Sequence, residues 1–202
     1  MRNYIELTDI FQNKIEMNRY LIDKFNLTTY HLESIKKQWH HKRFEKYAHL
    51  LKIDKEYVIL YDKHNSKVMM TNNEFEMESN KKFIDNAKGD VIIFGLGLGL
   101  IVYPLLKDDD VNSITIIEMD KELIEQTSYL FSESDIKSKL SFINCNAFQY
   151  EDNKKYDTIY FDIWSLINEE AFKEMKVLSE KFSKNLNEGG WMDSWCSEEE
   201  SY

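Results

Sequence analysis

The run Val91-Ile92-Ile93-Phe94 passes directly into Gly95-Leu96-Gly97-Leu98-Gly99, so three of the chain's six glycines stand within five residues. A β-branched apolar run that ends in alternating glycines and resumes as apolar residues predicts a strand, a tight loop and a helix. Backbone without Cβ lets a ligand approach closely, with the N–H groups and positive dipole end of the next helix at hand.

The pattern that follows alternates. Ser113–Glu118 reads as a strand, Lys121–Phe131 as a helix, Leu140–Asn144 and Tyr156–Asp162 as strands. Glu169–Leu186 is a long amphipathic helix stopped by Asn187-Glu188-Gly189-Gly190, and Trp191–Cys196 closes the series as a last strand. Pro104 makes the helix after the glycine loop start late or kink. Strands separated by helical stretches imply a parallel sheet with helices on both faces, and ligands in such sheets bind at the carboxyl ends of the strands. The expected fold class is α/β, a Rossmann-like, doubly wound, mostly parallel sheet shortened at its C-terminal end.

Ahead of this core, residues 1–56 read as a helical segment. Thr8 is placed to cap a helix with Phe11, Ile15, Ile22 and Phe25 on one face, and a second helix spans about Thr29 to Lys52 with Trp39, Phe44, Tyr47, Ala48 and Leu51 inward. Residues 57–88 hold a hairpin, Tyr57–Asp62 and Lys67–Thr71 around a polar turn, then a helix from about Glu76 to Ala87. Residues 89–202 are the sheet-bearing core.

Composition narrows the function. A formal net charge of −10 argues against a nucleic-acid clamp or an anionic membrane surface as partner. Two cysteines, Cys145 and Cys196, lack metal-site spacing and suit a reducing cytoplasm, and no apolar signal or membrane-spanning stretch is expected. His41, Glu45 and His49 share a helical face, but ligands spread over two turns converge poorly, so a solvated face is expected and no metal. The basic cluster around Lys36 and Lys42 reads the same way.

Three strand ends carry the chemistry. Glu118 lies about 20 residues beyond the glycine loop, where a carboxylate accepts both hydroxyls of a ribose; a helix cap is the other use of an acidic residue there. Asn146, in Asn144-Cys145-Asn146-Ala147, offers an amide to an adenine edge or forms an Asx turn. Asp162, in Asp162-Ile163-Trp164-Ser165, holds an ammonium group, receives a proton, or merely forms a turn. A dinucleotide loop needs a third glycine where Leu100 stands, which disfavours a nicotinamide or flavin.

With these residues in this order, the chain resembles the class I S-adenosylmethionine-dependent methyltransferases, and within them the spermidine-synthase-like branch. That branch also sets a β-hairpin before the core and an acidic segment at its entrance, for which Asn73-Glu74-Phe75-Glu76-Met77-Glu78 stands here. The resemblance implies S-adenosylmethionine as cofactor, held by Gly95, Leu96, Gly97, Gly99, Glu118, Met119, Asn146, Ala147 and Asp162, with Asp162, Trp164 and Glu78 towards the acceptor. Ser165 stands where aminopropyltransferases carry their catalytic carboxylate, and a serine is a poor base for an ammonium. The Asn/Asp-Pro-Pro-aromatic signature of amino-methyltransferases is absent. The expectation is methyl transfer to a small-molecule or peptide acceptor. Aminopropyl transfer with a relocated base, or a protein that only binds, sequesters or degrades the cofactor, are the alternatives. The shortened sheet leaves an edge for the N-terminal segment or a second subunit to cover, so a homo-oligomer is expected.

Overall fold

A strand buried on both faces has no polar side to show, and Val91, Ile92, Ile93 and Phe94 are each fully buried. In the computed structural model, which describes residues 4, 6–38, 45–131 and 138–198, they form most of β5 (Gly89–Phe94), the centre of a five-stranded sheet. Its partners are β6 (Val111–Glu118), β7 (Leu140–Asn144), β8 (Tyr156–Phe161) and β9 (Leu186–Ser194), in the order β7-β6-β5-β8-β9. Every pairing in this sheet is parallel. Reversal of strand order on either side of β5 makes its carboxyl end the switch point.

The helices cover both faces. On one side Ile92, Phe94, Ile159 and Phe161 pack with Leu178 and Phe182 of α7 (Glu169–Phe182). Asn168 starts that helix by accepting the Ala171 N–H at 2.9 Å. On the other side Val91, Ile93, Ile114 and Ile116 meet Phe83, Val102 and Leu105. The helix after the glycine loop, α5 (Tyr103–Leu106), starts late, with Pro104 in its first positions where a missing N–H costs nothing. Asp120 caps α6 (Lys121–Thr127), its Oδ1 accepting the Leu123 N–H at 2.9 Å.

The N-terminal part departs from the expected helices. After one short turn, α1 (Leu7–Ile10), the chain forms β1 (Ile15–Glu16) and β2 (Tyr20–Asn26). These join the hairpin strands β3 (Glu56–Asp62) and β4 (Lys67–Thr71) in an antiparallel sheet of order β1-β2-β3-β4. Ile15, Ile22 and Phe25 fit a helical period, but Tyr20 and Ile22 are buried and Leu21 and Asp23 half-buried, an alternation of two. Pairing along the open side of β3, Ile22 opposite Leu60, decides the outcome. Of the second expected helix, α2 covers Thr29–Gln38 and a 3-10 turn spans Ala48–Leu50, while Trp39 and Phe44 lie outside the described residues. The helix before β5 is divided into α3 (Glu74–Ser79) and α4 (Lys81–Asn86) at Asn80, whose Nδ2 donates to the Glu76 carbonyl at 3.0 Å.

The two sheets meet at the glycine loop. Leu98 and Leu100 are fully buried among Ile22, Val58 and Leu60 of the antiparallel sheet. The leucines between the glycines therefore anchor one layer to the other. No helix among the described residues is long and apolar enough to cross a membrane.

Candidate functional site

The strand ends are stitched together by main chain. Gly95 N–H donates to the Ile117 carbonyl at 2.8 Å, Cys145 N–H to that of Glu118 at 3.0 Å, and Asp162 N–H to that of Phe94 at 2.8 Å. Beyond them opens a cavity of about 440 Å³, roofed by the antiparallel sheet. That volume lies within the range of small-molecule sites, about 300–1,000 Å³. Gly95, Leu96, Gly97, Glu118, Met119, Asn146, Ala147, Asp162 and Trp164 line it, so nine of the expected site residues come together.

Glu118 is only 7 % exposed, and its carboxylate is fixed from two sides. Oε2 accepts the Leu96 N–H at 3.0 Å and Oε1 the Asp120 N–H at 2.8 Å. Burial raises its pKa, and those two hydrogen bonds oppose the rise. A carboxylate offers about four acceptor positions, so roughly two remain for a ligand.

Asp162 presents the opposite case. Among the described residues no hydrogen bond or ion pair reaches its carboxylate, and burial pushes it up to about 7. Asn146 makes the Asx turn, its Oδ1 accepting the Phe148 N–H at 2.8 Å, while the side chain still lines the cavity. The Trp164 indole N–H donates to Glu174 Oε2 at 2.6 Å, which fixes its ring in the wall.

Residues 12–146, about two thirds of the chain, match the family described as the glycosyltransferase Maf N-terminal domain. The chain belongs to that family. No curated protein sequence matches the chain. Among solved structures, spermidine synthase from Thermotoga maritima is similar with a TM-score of 0.54 and 20 % identity, covering 90 % of this chain and 55 % of that one. Glycopeptide N-methyltransferase MtfA complexed with S-adenosyl-L-methionine gives 0.46 and 16 %, covering 57 % of this chain and 47 % of its own. YjhP from E. coli gives 0.44 and 19 %, covering 57 % and 46 %. The chain thus spans about half the length of these structures. Its fold is the one the resemblance to the spermidine-synthase-like branch implied.

Two expected residues lie elsewhere. Gly99 faces away, and a Cβ on it would overlap the Phe131 ring. Glu78 lines a separate cavity with Lys81 and Tyr160, whereas Glu76 lines the main one. The cause is helical phase: two residues along a helix turn the side chain about 200°. The bare loop also serves its own chain. A Cβ on Gly95, at φ +101°, would overlap the Asp162 carbonyl oxygen, and one on Gly97, at φ +53°, the Met70 Sδ.

Sequence reasoning missed the roof. Arg19 and Tyr20 of the β1–β2 connection and β2, and Lys67, Met69 and Met70 of β4, also line the cavity. The hairpin position of the last three was legible, but which sheet face they share depends on register. Arg19 is held by Asp62, which accepts from Nε at 3.1 Å and Nη2 at 2.8 Å. Lys67 forms no ion pair among the described residues. Those residues contain no group of three or more His, Cys, Asp or Glu able to hold a metal, and His41 lies outside them.

Proposed function

We propose that the cavity binds an adenosyl nucleoside of the S-adenosylmethionine type and that the chain transfers its methyl group to a small-molecule or peptide acceptor. The observation that carries this reading is the Glu118 carboxylate, buried in the cavity wall and oriented by two main-chain N–H groups. A vicinal diol is the ligand group that suits such an acceptor-only pair. When bound, the cofactor supplies a sulfonium-activated methyl group.

The chain's own contribution is then position and exclusion of water. Glu118 holds the ribose, Met119 and Ala147 flank the base, and the Asn146 amide offers a donor to its edge. Asp162 binds an ammonium group or takes a proton, and Trp164 shields the acceptor end. Aminopropyl transfer remains short of a base, since Ser165 lines the wall where a carboxylate is needed. Pairing of a second copy along β9, an outer strand of the sheet, is part of this reading. Neither Cys145 nor Cys196 forms a disulfide among the described residues, which supports a reducing compartment.

A second reading follows from the family description and from two cations, Arg19 and Lys67, in the cavity roof. They favour a phosphorylated ligand, so the same Glu118 would hold the ribose of a sugar nucleotide within a glycosyltransferase. Calorimetry with S-adenosylhomocysteine, a uridine diphosphate sugar and a cytidine monophosphate sugar separates the two. Binding of the first alone, lost in Glu118→Ala, supports the methyltransferase. Binding of a sugar nucleotide alone overturns it.

A further inference from the structure

Successive residues of a regular strand face opposite ways, yet Met69 and Met70 of β4 both line the cavity. The ladder explains the departure. Leu60 pairs with Met70, but the next β3 residue, Tyr61, pairs with Val68, which leaves Met69 as an extra residue in β4. A bulge of this kind re-aims side chains beside a site.

The re-aimed Met70 sits on the glycine loop. Its Sδ accepts the Leu98 N–H at 3.1 Å and occupies the space where a Cβ on Gly97 would project. Leu98 is fully buried, so its N–H depends on that sulfur for a partner. A thioether is a weak acceptor, and methionine is unbranched and adaptable. Gly95 abuts main chain and Gly99 abuts a buried ring. Gly97 is therefore the position in the loop whose cover is a flexible side chain already exposed to the cavity.

We propose that Met70 is a displaceable plug, holding the Leu98 N–H until an anionic group of the incoming ligand takes that donor. The exchange replaces a weak acceptor by a charged one, and the released thioether repacks against its neighbours in the cavity wall. Met70 thereby reduces the advantage an anion gives a nucleoside, because that group must first displace the sulfur from the Leu98 N–H. The proposal rests on the nucleoside reading of the cavity. The anion is a carboxylate or a phosphate, and the two sources are separable by ligand.

The test is a titration of protein carrying ¹³C-methyl methionine, with the Met70 signal assigned by its loss in Met70→Leu. S-adenosylhomocysteine supplies a carboxylate, adenosine 5′-monophosphate a phosphate, and methylthioadenosine neither. The Met70 methyl signal is expected to move with one or both anion-bearing ligands and to stay in place with methylthioadenosine at equal occupancy. Met70→Ala is expected to favour the anion-bearing ligand over methylthioadenosine about fivefold more than wild type, the scale of one net hydrogen bond. Movement of the Met119 signal with Met70 unmoved under every ligand overturns the plug and leaves the nucleoside reading standing. Equal movement with methylthioadenosine overturns the anion exchange. Absence of any heat or methyl shift overturns both readings together. Should Met70→Ala fail to fold, the wild-type spectra decide alone.

Discussion

Leu96 N–H donates to Glu118 Oε2 at 3.0 Å, tying the second residue of the glycine loop to the tip of the neighbouring strand. The carboxylate thus serves the loop before it serves any ligand. Glu118→Gln keeps the volume but turns an amide N–H₂ towards main-chain donors. It is expected to lower stability by about 1–3 kcal/mol, read from urea denaturation. Its affinity for S-adenosylhomocysteine is expected to fall at least about tenfold, read from calorimetry. Unchanged affinity in a folded variant would remove the ribose role.

Asp162 gives the fold a pH signature. Burial raises its carboxyl from the ordinary range to about 7, so the native state holds a proton that the unfolded chain has already released. Its contribution is complete below about pH 4 and is lost as the pH rises towards 7. The stability curve should fall across that window with a slope approaching ~1.4 kcal/mol per pH unit from this group. Asp162→Asn should flatten it, as read from urea midpoints at several pH values. An unchanged slope in the variant would sink the assignment.

Asp62 has the opposite sign. Burial would raise its carboxyl, but hydrogen bonds from Arg19 and Asn65 outweigh that and hold it well below the usual carboxylate range. Its contribution is present above about pH 4 and lost as the pH falls towards the native value. Asp62→Asn leaves the partly buried Arg19 without its counter-charge and disturbs the turn bonds to His64 and Asn65. The expected cost is about 3 kcal/mol at neutral pH, with less destabilisation relative to wild type in acid.

Gly95 and Gly97 both have positive φ, but their surroundings differ. Alanine at either position carries the left-handed penalty of roughly 1–2 kcal/mol. At Gly95 it also strikes the Asp162 carbonyl, which is main chain, whereas at Gly97 it strikes the movable Met70. Gly95→Ala should therefore be clearly the more destabilising of the two in urea denaturation. The reverse order would mean that Met70 cannot yield.

What was legible in the sequence was whatever one short segment determines by itself. The strand Val91–Phe94, the glycine loop, the hairpin turn and the acidic tip at Glu118 each follow from local pattern, and the parallel sheet follows from their alternation. What stayed hidden depends on distant partners. Residues 15–26 carry a spacing that suits a helix until the free side of β3 supplies hydrogen bonds. Glu76 and Glu78 differ only in helical phase, and the break at Asn80 resets it. The bulge that brings Met69 and Met70 to one wall leaves no mark in either strand's composition. Arg19 enters the site only because β2 lies beside the hairpin.

Gly95, Gly97 and Gly99 of the loop abut the end of β8, the bulged strand β4 and the ring of Phe131, segments spread over nearly half the chain. The loop has no settled shape until all three have arrived. Binding competence is consequently a late and all-or-none property of assembly. A nicked or partly folded form that retains the parallel sheet but releases the N-terminal layer should read as structured by circular dichroism and yet be blind to nucleosides.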